Sequence, residues 1–233
     1  MVISHDSARV ITSSIDGTII IWDLESGAVV QEWLAHDSLG GVIDLALSLD
    51  SRRLVSAGGR TLAIWAIDSD VASQAGALEG HTSDVKTCAW SPDGTLIASA
   101  SWDGMVRVWD GDSYQQRDMV SVTPLSGIYR RDLKFSPDAR CLAWMSYPQG
   151  CHVWTPLAGT QPIVLPPHPD RRDVDTMAFS FDHESRRIAT AHGSNDSDPD
   201  VSVVRIWDVE TGAPLAVLTG HSSRVSTIPA IHV

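Results

Sequence analysis

Cysteine is scarce in this sequence. Only Cys88, Cys141 and Cys151 occur, an odd number with no C-x-x-C pair. A disulfide framework is thereby excluded, and a reducing, intracellular, cytoplasmic setting is expected. Cys88 lies inside the apolar run Val85 to Trp90 and reads as a small buried filler. Basic residues are also few: 17 Lys and Arg against 29 Asp and Glu give a formal net charge of -12. A surface that acidic repels phosphate backbones, so nucleic acid is not an expected partner, and basic partners suit it better. Long apolar runs are missing as well. None approaches the roughly 20 residues of a membrane-spanning helix, so a soluble chain without a membrane partner is expected. The first twenty residues lack both a basic segment and an unbroken apolar one, and no signal peptide is expected. No stretch has the 3.6-residue apolar period of an amphipathic helix.

Tryptophan is what the sequence has in plenty, nine in 233 residues, and five of them keep time. IIIW ends at Trp22, LAIW at Trp65, VRVW at Trp109, CHVW at Trp154 and VRIW at Trp207, at spacings of 43, 44, 45 and 53 residues. A second marker runs in step: LSLD, WSPD, FSPD and FSFD end at Asp50, Asp93, Asp138 and Asp182, spaced 43, 45 and 44. A third is a His after a small or turn residue, at His36, His81, His168 and His221. Three markers on one period define an internal repeat.

The clearest unit runs from Val85 to Asp110. Its period-2 pattern predicts strands over Val85–Trp90, Leu96–Ser101 and Met105–Trp109. Pro92-Asp93-Gly94 and Asp103-Gly104 supply the hairpin turns, since Asp and Gly tolerate positive φ. A fourth strand follows each Trp, most clearly over Ala28–Trp33 and Pro214–Leu218. Each period is therefore a four-stranded antiparallel meander.

The Gly-His, SPDG, ASASWDG and VRVWD markers resemble those of the WD-repeat family. The likeness is sharpest in the periods ending at Trp22, Trp109 and Trp207. It is weaker where Ala66 and Thr155 replace the Asp after the Trp. The resemblance implies an all-β β-propeller of four-stranded antiparallel blades, with five repeats visible and residues 1–233 forming one domain. It also implies a buried hydrogen-bond chain from the Trp indole to a Ser or Thr, then to the His, then to the turn Asp. On the third period this joins Trp109, Ser99, His81 and Asp103, with Ser101 as the alternative to Ser99. Gly58-Gly59 stands in the second period where the turn Asp belongs, and the fifth offers His168, Thr190 and Trp207. The segment Val225–Ile231 sits where a next first strand belongs. If it closes the ring on the first blade, His221 meets Thr12, Asp16 and Trp22; otherwise the chain is part of a larger ring.

Ser, His and Asp together suggest hydrolytic chemistry, but here they recur with the strand period and no G-x-S-x-G elbow accompanies them. A non-catalytic scaffold for proteins or peptides is the function the resemblance implies, without cofactor. The alternative is a propeller hydrolase or lyase with a metal in its channel. Partners are expected on the narrow face, at the residue before the turn Asp and just before each first strand. Those rules select Trp102 and Ile15, then Asp84, Tyr129, Asp173 and Arg224, with Arg171 two positions earlier. Trp102 reads either as a contact residue or as packing onto the neighbouring blade. The acidic loop Asn195–Asp200 lacks the Gly and Glu of a Ca²⁺ loop, and no His spacing marks a transition-metal site.

Overall fold

The computed structural model describes all residues except 38–39, 69–70, 123–131, 147–148, 167–174, 194–201, 224 and 226–233. Every regular element among the described residues is a strand, and the twenty strands form five four-stranded antiparallel sheets. The first sheet holds β1 (Val2–Ile3), β2 (Arg9–Ser13), β3 (Thr18–Asp23) and β4 (Val29–Leu34). The second holds β5 (Asp44–Leu47), β6 (Arg53–Gly58), β7 (Thr61–Ala66) and β8 (Ser73–Leu78). The third holds β9 (Val85–Trp90), β10 (Leu96–Ser101), β11 (Met105–Asp110) and β12 (Gln116–Ser121). In the fourth come β13 (Leu133–Phe135), β14 (Leu142–Ser146), β15 (Gly150–Trp154) and β16 (Ile163–Leu165). The fifth contains β17 (Asp175–Phe181), β18 (Arg187–Gly193), β19 (Val204–Asp208) and β20 (Pro214–Leu218). Strand order in each sheet follows chain order, so each is a simple meander.

The fold class is the one that the resemblance implies: all-β, made of four-stranded antiparallel β-propeller blades. The expected strands of the third period match β9, β10 and β11 within one residue, and the strand expected over Ala28–Trp33 runs one residue later. Turn chemistry is where the sequence placed it. Gly104 takes φ +79°, closing the β10–β11 hairpin in a backbone region that favours glycine. The same register recurs from sheet to sheet. Ala100 pairs with Val106 and Val106 with Val120, as Ala57 pairs with Leu62 and Leu62 with Leu78.

The chain divides into two compact units, residues 1–133 and 134–233. Within the first, each sheet buries one face on the next. Ile11, Ile19 and Ile21 share a core with Leu45, Leu54, Trp65 and Ile67. Val55, Leu62, Ile64 and Leu78 share another with Cys88, Trp90, Ile97 and Trp109. Asp44 fastens this second junction by accepting from the Thr87 hydroxyl (2.8 Å) and the Cys88 N–H (3.0 Å). Burial and the Asp44 charge push the Cys88 thiol well above its ordinary value, so it stays a neutral filler. Within the second unit, Met145, Cys151, Val153 and Leu165 pack on Phe179, Phe181, Ile188 and Trp207. The strand expected over Val225–Ile231 lies outside the described residues, Val225 apart.

Candidate functional site

The third blade holds a connected polar chain. The Trp109 indole N–H donates to Ser99 Oγ (2.9 Å), which lies 2.8 Å from His81 Nε2. His81 Nδ1 in turn lies 2.8 Å from Asp103 Oδ2. With Asp103 ionised, Nδ1 carries the proton and Nε2 accepts from the Ser99 hydroxyl, so each atom has one role. Burial lowers the His81 pKa despite Asp103, keeping the ring neutral. Burial would raise Asp103, but the Thr82 N–H, His81 and the Met105 N–H hold its carboxyl below the usual range. Ser99 is wholly buried, and its hydroxyl both accepts from the indole and donates to His81. It is closed to solvent. The trio pins strands and a turn.

The other blades vary this scheme. In the first, the Trp22 indole donates to Thr12 Oγ1 (2.8 Å) and Asp16 accepts from the Thr18 N–H and hydroxyl, while His221 is exposed. The second keeps Trp65 donating to Ser56 (2.9 Å) and His36 Nε2 at 2.8 Å from that hydroxyl. Gly58 cannot carry the turn Asp, because the His36 ring lies over it. A Cβ on Gly58 would stand 2.5 Å from His36 Cγ and 2.3 Å from the Gly41 carbonyl oxygen.

Two substitutes were not foreseen from the sequence. In the fifth blade Trp207 donates to Thr190 (2.7 Å), and the imidazole 2.6 Å from Thr190 Oγ1 is that of His192. His168, the residue expected there, lies outside the described residues. His192 follows Thr190 by two positions and so faces the same way, which is the signal that could have found it. In the fourth blade Trp144 occupies the place of the Ser or Thr. Its partner His152 sits opposite it, as Arg107 sits opposite Ser99. The two rings stack at 5.2 Å with 2° between planes, and His152 Nε2 lies 2.6 Å from Ser146 Oγ. Burial lowers the His152 pKa to about 4. Trp154, deprived of its hydroxyl, donates to the Thr160 carbonyl (3.0 Å).

The register, the network and its variants recur in sheets of one kind. The family model "WD domain, G-beta repeat" matches residues 1–23 and 72–110, the first blade through Trp22 and the clearest unit through Asp110.

Those two segments carry WD repeats.

Similar chains include "Apoptotic protease-activating factor 1" of Rattus norvegicus, 30% identical over 142 residues, 58% of this chain and 11% of that protein. "WD repeat-containing protein slp1" of Schizosaccharomyces pombe is 32% identical over 111 residues, 47% of this chain and 22% of its own. The "Guanine nucleotide-binding protein subunit beta" of Solanum tuberosum is 29% identical over 164 residues, 66% of this chain and 43% of its own. This chain thus spans less than half the length of each.

The candidate contact residues of the first unit lie at one end of its WD sheets. Ile15, before the β2–β3 turn Asp, is 82% exposed, and Trp102, before the β10–β11 turn Asp, is 50% exposed. The Trp102 N–H donates to the Asp84 carbonyl (3.0 Å), fixing the turn against the start of β9. Lys86 lies 3.4 Å above the centre of the Trp102 ring and 3.1 Å from the Asp84 carboxylate. Lys86 is a further residue that the sequence did not single out. Tyr129, Asp173, Arg171 and Arg224 lie outside the described residues.

Proposed function

We propose that this chain is a non-catalytic platform that binds peptides or protein loops at the sheet ends carrying Trp102, Ile15 and Asp84. The observation that carries this reading is Trp102, whose half-exposed ring lies under the Lys86 ammonium and whose backbone N–H donates to the Asp84 carbonyl. A large ring already fixed loses little entropy on contact, which is why such residues dominate interface energies. It sits in an acidic chain, and the Asp84 carboxylate that shares Lys86 with it is itself partly exposed, so the partner is a protein segment with apolar and basic groups. One relative, the guanine nucleotide-binding protein subunit beta, is by name a subunit of a larger protein, in keeping with this role. The buried, saturated Ser99 supports the scaffold reading over a hydrolytic one.

The test is capture of partners from a cell lysate on the immobilised chain, followed by titration of the captured protein. Trp102→Ala is expected to weaken binding by about 2 kcal/mol, roughly thirty-fold, with the melting temperature nearly unchanged. Equal losses of binding and stability would make Trp102 a packing residue and end the proposal.

A further inference from the structure

Lys86 puts a charge in a slot that another blade fills with an apolar side chain. Strand β9 bulges near its start: Val85 pairs with Ser101 and Thr87 with Ala100, which leaves Lys86 between them. Strand β17 bulges at the same place, since Thr176 pairs with His192 and Ala178 with Ala191, and the residue between them is Met177. Ser101 and His192 are equivalent, each two positions after the hydroxyl that takes the indole proton, Ser99 or Thr190. Met177 is buried. The Lys86 side chain is only 15% exposed, so its ammonium is largely withdrawn from water and depends on partners within the protein.

It has two. Nζ lies 3.4 Å from the centre of the Trp102 ring and 3.1 Å from Asp84 Oδ2. The Trp102 N–H donates to the Asp84 carbonyl, so ring, carboxylate and ammonium form a closed circuit in which each residue touches the other two. Trp102 is half exposed with one face given to Lys86, and what it offers to solvent is therefore its other face and its edge. An aromatic ring attracts a cation through the negative charge on its faces. Here one cation already draws on that charge, and a second would meet the Lys86 charge across the thickness of a single ring. The free face is left suited to neutral, apolar groups.

We propose, on the reading of the Trp102 end as the contact surface, that Lys86 is its positioning and specificity-determining residue. It fixes the Trp102 ring and reserves the free face for an apolar side chain of the partner. A basic side chain of the partner goes instead to the Asp84 carboxylate, which Lys86 engages through one oxygen only.

The probes that test this are choline and the neutral alcohol that carries a tert-butyl group in place of its trimethylammonium, two molecules of one shape and different charge. Each is titrated into the purified chain while the Trp102 indole N–H is followed by nuclear magnetic resonance, its signal assigned by its loss in Trp102→Phe. The wild type should bind the neutral alcohol more tightly than choline at this signal. In Lys86→Met, which carries the residue of the β17 bulge, a ring face becomes free for a cation. Choline should then bind roughly two- to five-fold more tightly than the alcohol, the factor that an exposed cation–π contact supplies. Indole N–H relaxation should show the ring loosened in that variant, and Lys86→Arg should keep the wild-type order and a rigid ring. A wild-type preference for choline, no response to either probe, or a Lys86→Met variant that retains the wild-type order or a rigid ring would each overturn the proposal. Should Lys86→Met fail to fold, the wild-type order decides alone. A captured partner indifferent to Trp102→Ala would instead remove the contact surface, with the hold of Lys86 on the ring still read by the probes, so the two failures are told apart.

Discussion

His81 and Ser99, 18 residues apart in sequence, are joined by a 2.8 Å hydrogen bond that makes a loop residue and a strand residue one rigid element. The Ser99 hydroxyl touches both the indole and the imidazole in the buried interior. Ser99→Ala therefore strands two groups at once. We expect a loss of about 1–3 kcal/mol of stability, read as a lower urea midpoint with an unchanged slope. Ser101→Ala, whose hydroxyl bonds the Ser83 carbonyl at the blade's edge, should cost less. Equal effects would show that the network does not centre on Ser99.

Gly58 and Gly59 are adjacent but differ in what they require. A side chain on Gly58 meets the His36 ring and the Gly41 backbone, whereas Gly59 has open space and a φ of +57°. Gly58→Ala should lower stability by roughly 1–3 kcal/mol through overpacking. Gly59→Asn should be nearly silent, since Asn tolerates that backbone region. Thermal melts of the two variants distinguish these outcomes.

His152 makes stability depend on pH with a definite sign. Its folded value, about 4, lies below that of an exposed imidazole, so the unfolded chain takes up the proton first. Stability is full above about pH 6.5 and falls as the pH drops towards 4, by up to about 3 kcal/mol from this group. Burial lowers His36 and His81 too, and they add in the same direction. Denaturation midpoints between pH 7.5 and about 4.5 should decline for the wild type and less steeply for His152→Gln. Parallel declines would remove His152 as a cause.

The sequence made the blades legible because a strand meander writes itself twice, in the period of its side chains and in the glycine and aspartate of its turns. The third blade could be read down to single partners, since Trp109, Ser99, His81 and Asp103 occupy the places that the resemblance implies. His192 could not be read that way: it takes up the Thr190 hydroxyl from the same strand, where the pattern looks for a His in the preceding loop. Trp144 was hidden for another reason. A Trp inside a strand reads as ordinary core, and only its register opposite His152 reveals that it replaces a hydroxyl. Lys86 was missed because its two partners, Asp84 and Trp102, are brought together by a turn and not by spacing along the chain.

Trp144 also bears on how such a chain can change over generations. Once a stacked ring pair fills the slot of the hydroxyl, the loops on either side no longer have to supply an imidazole or a carboxylate at fixed positions. They are released to drift in length and chemistry while the strands beneath them keep their register. The fourth blade is therefore the part of this molecule where new surface can be tried at the least structural risk.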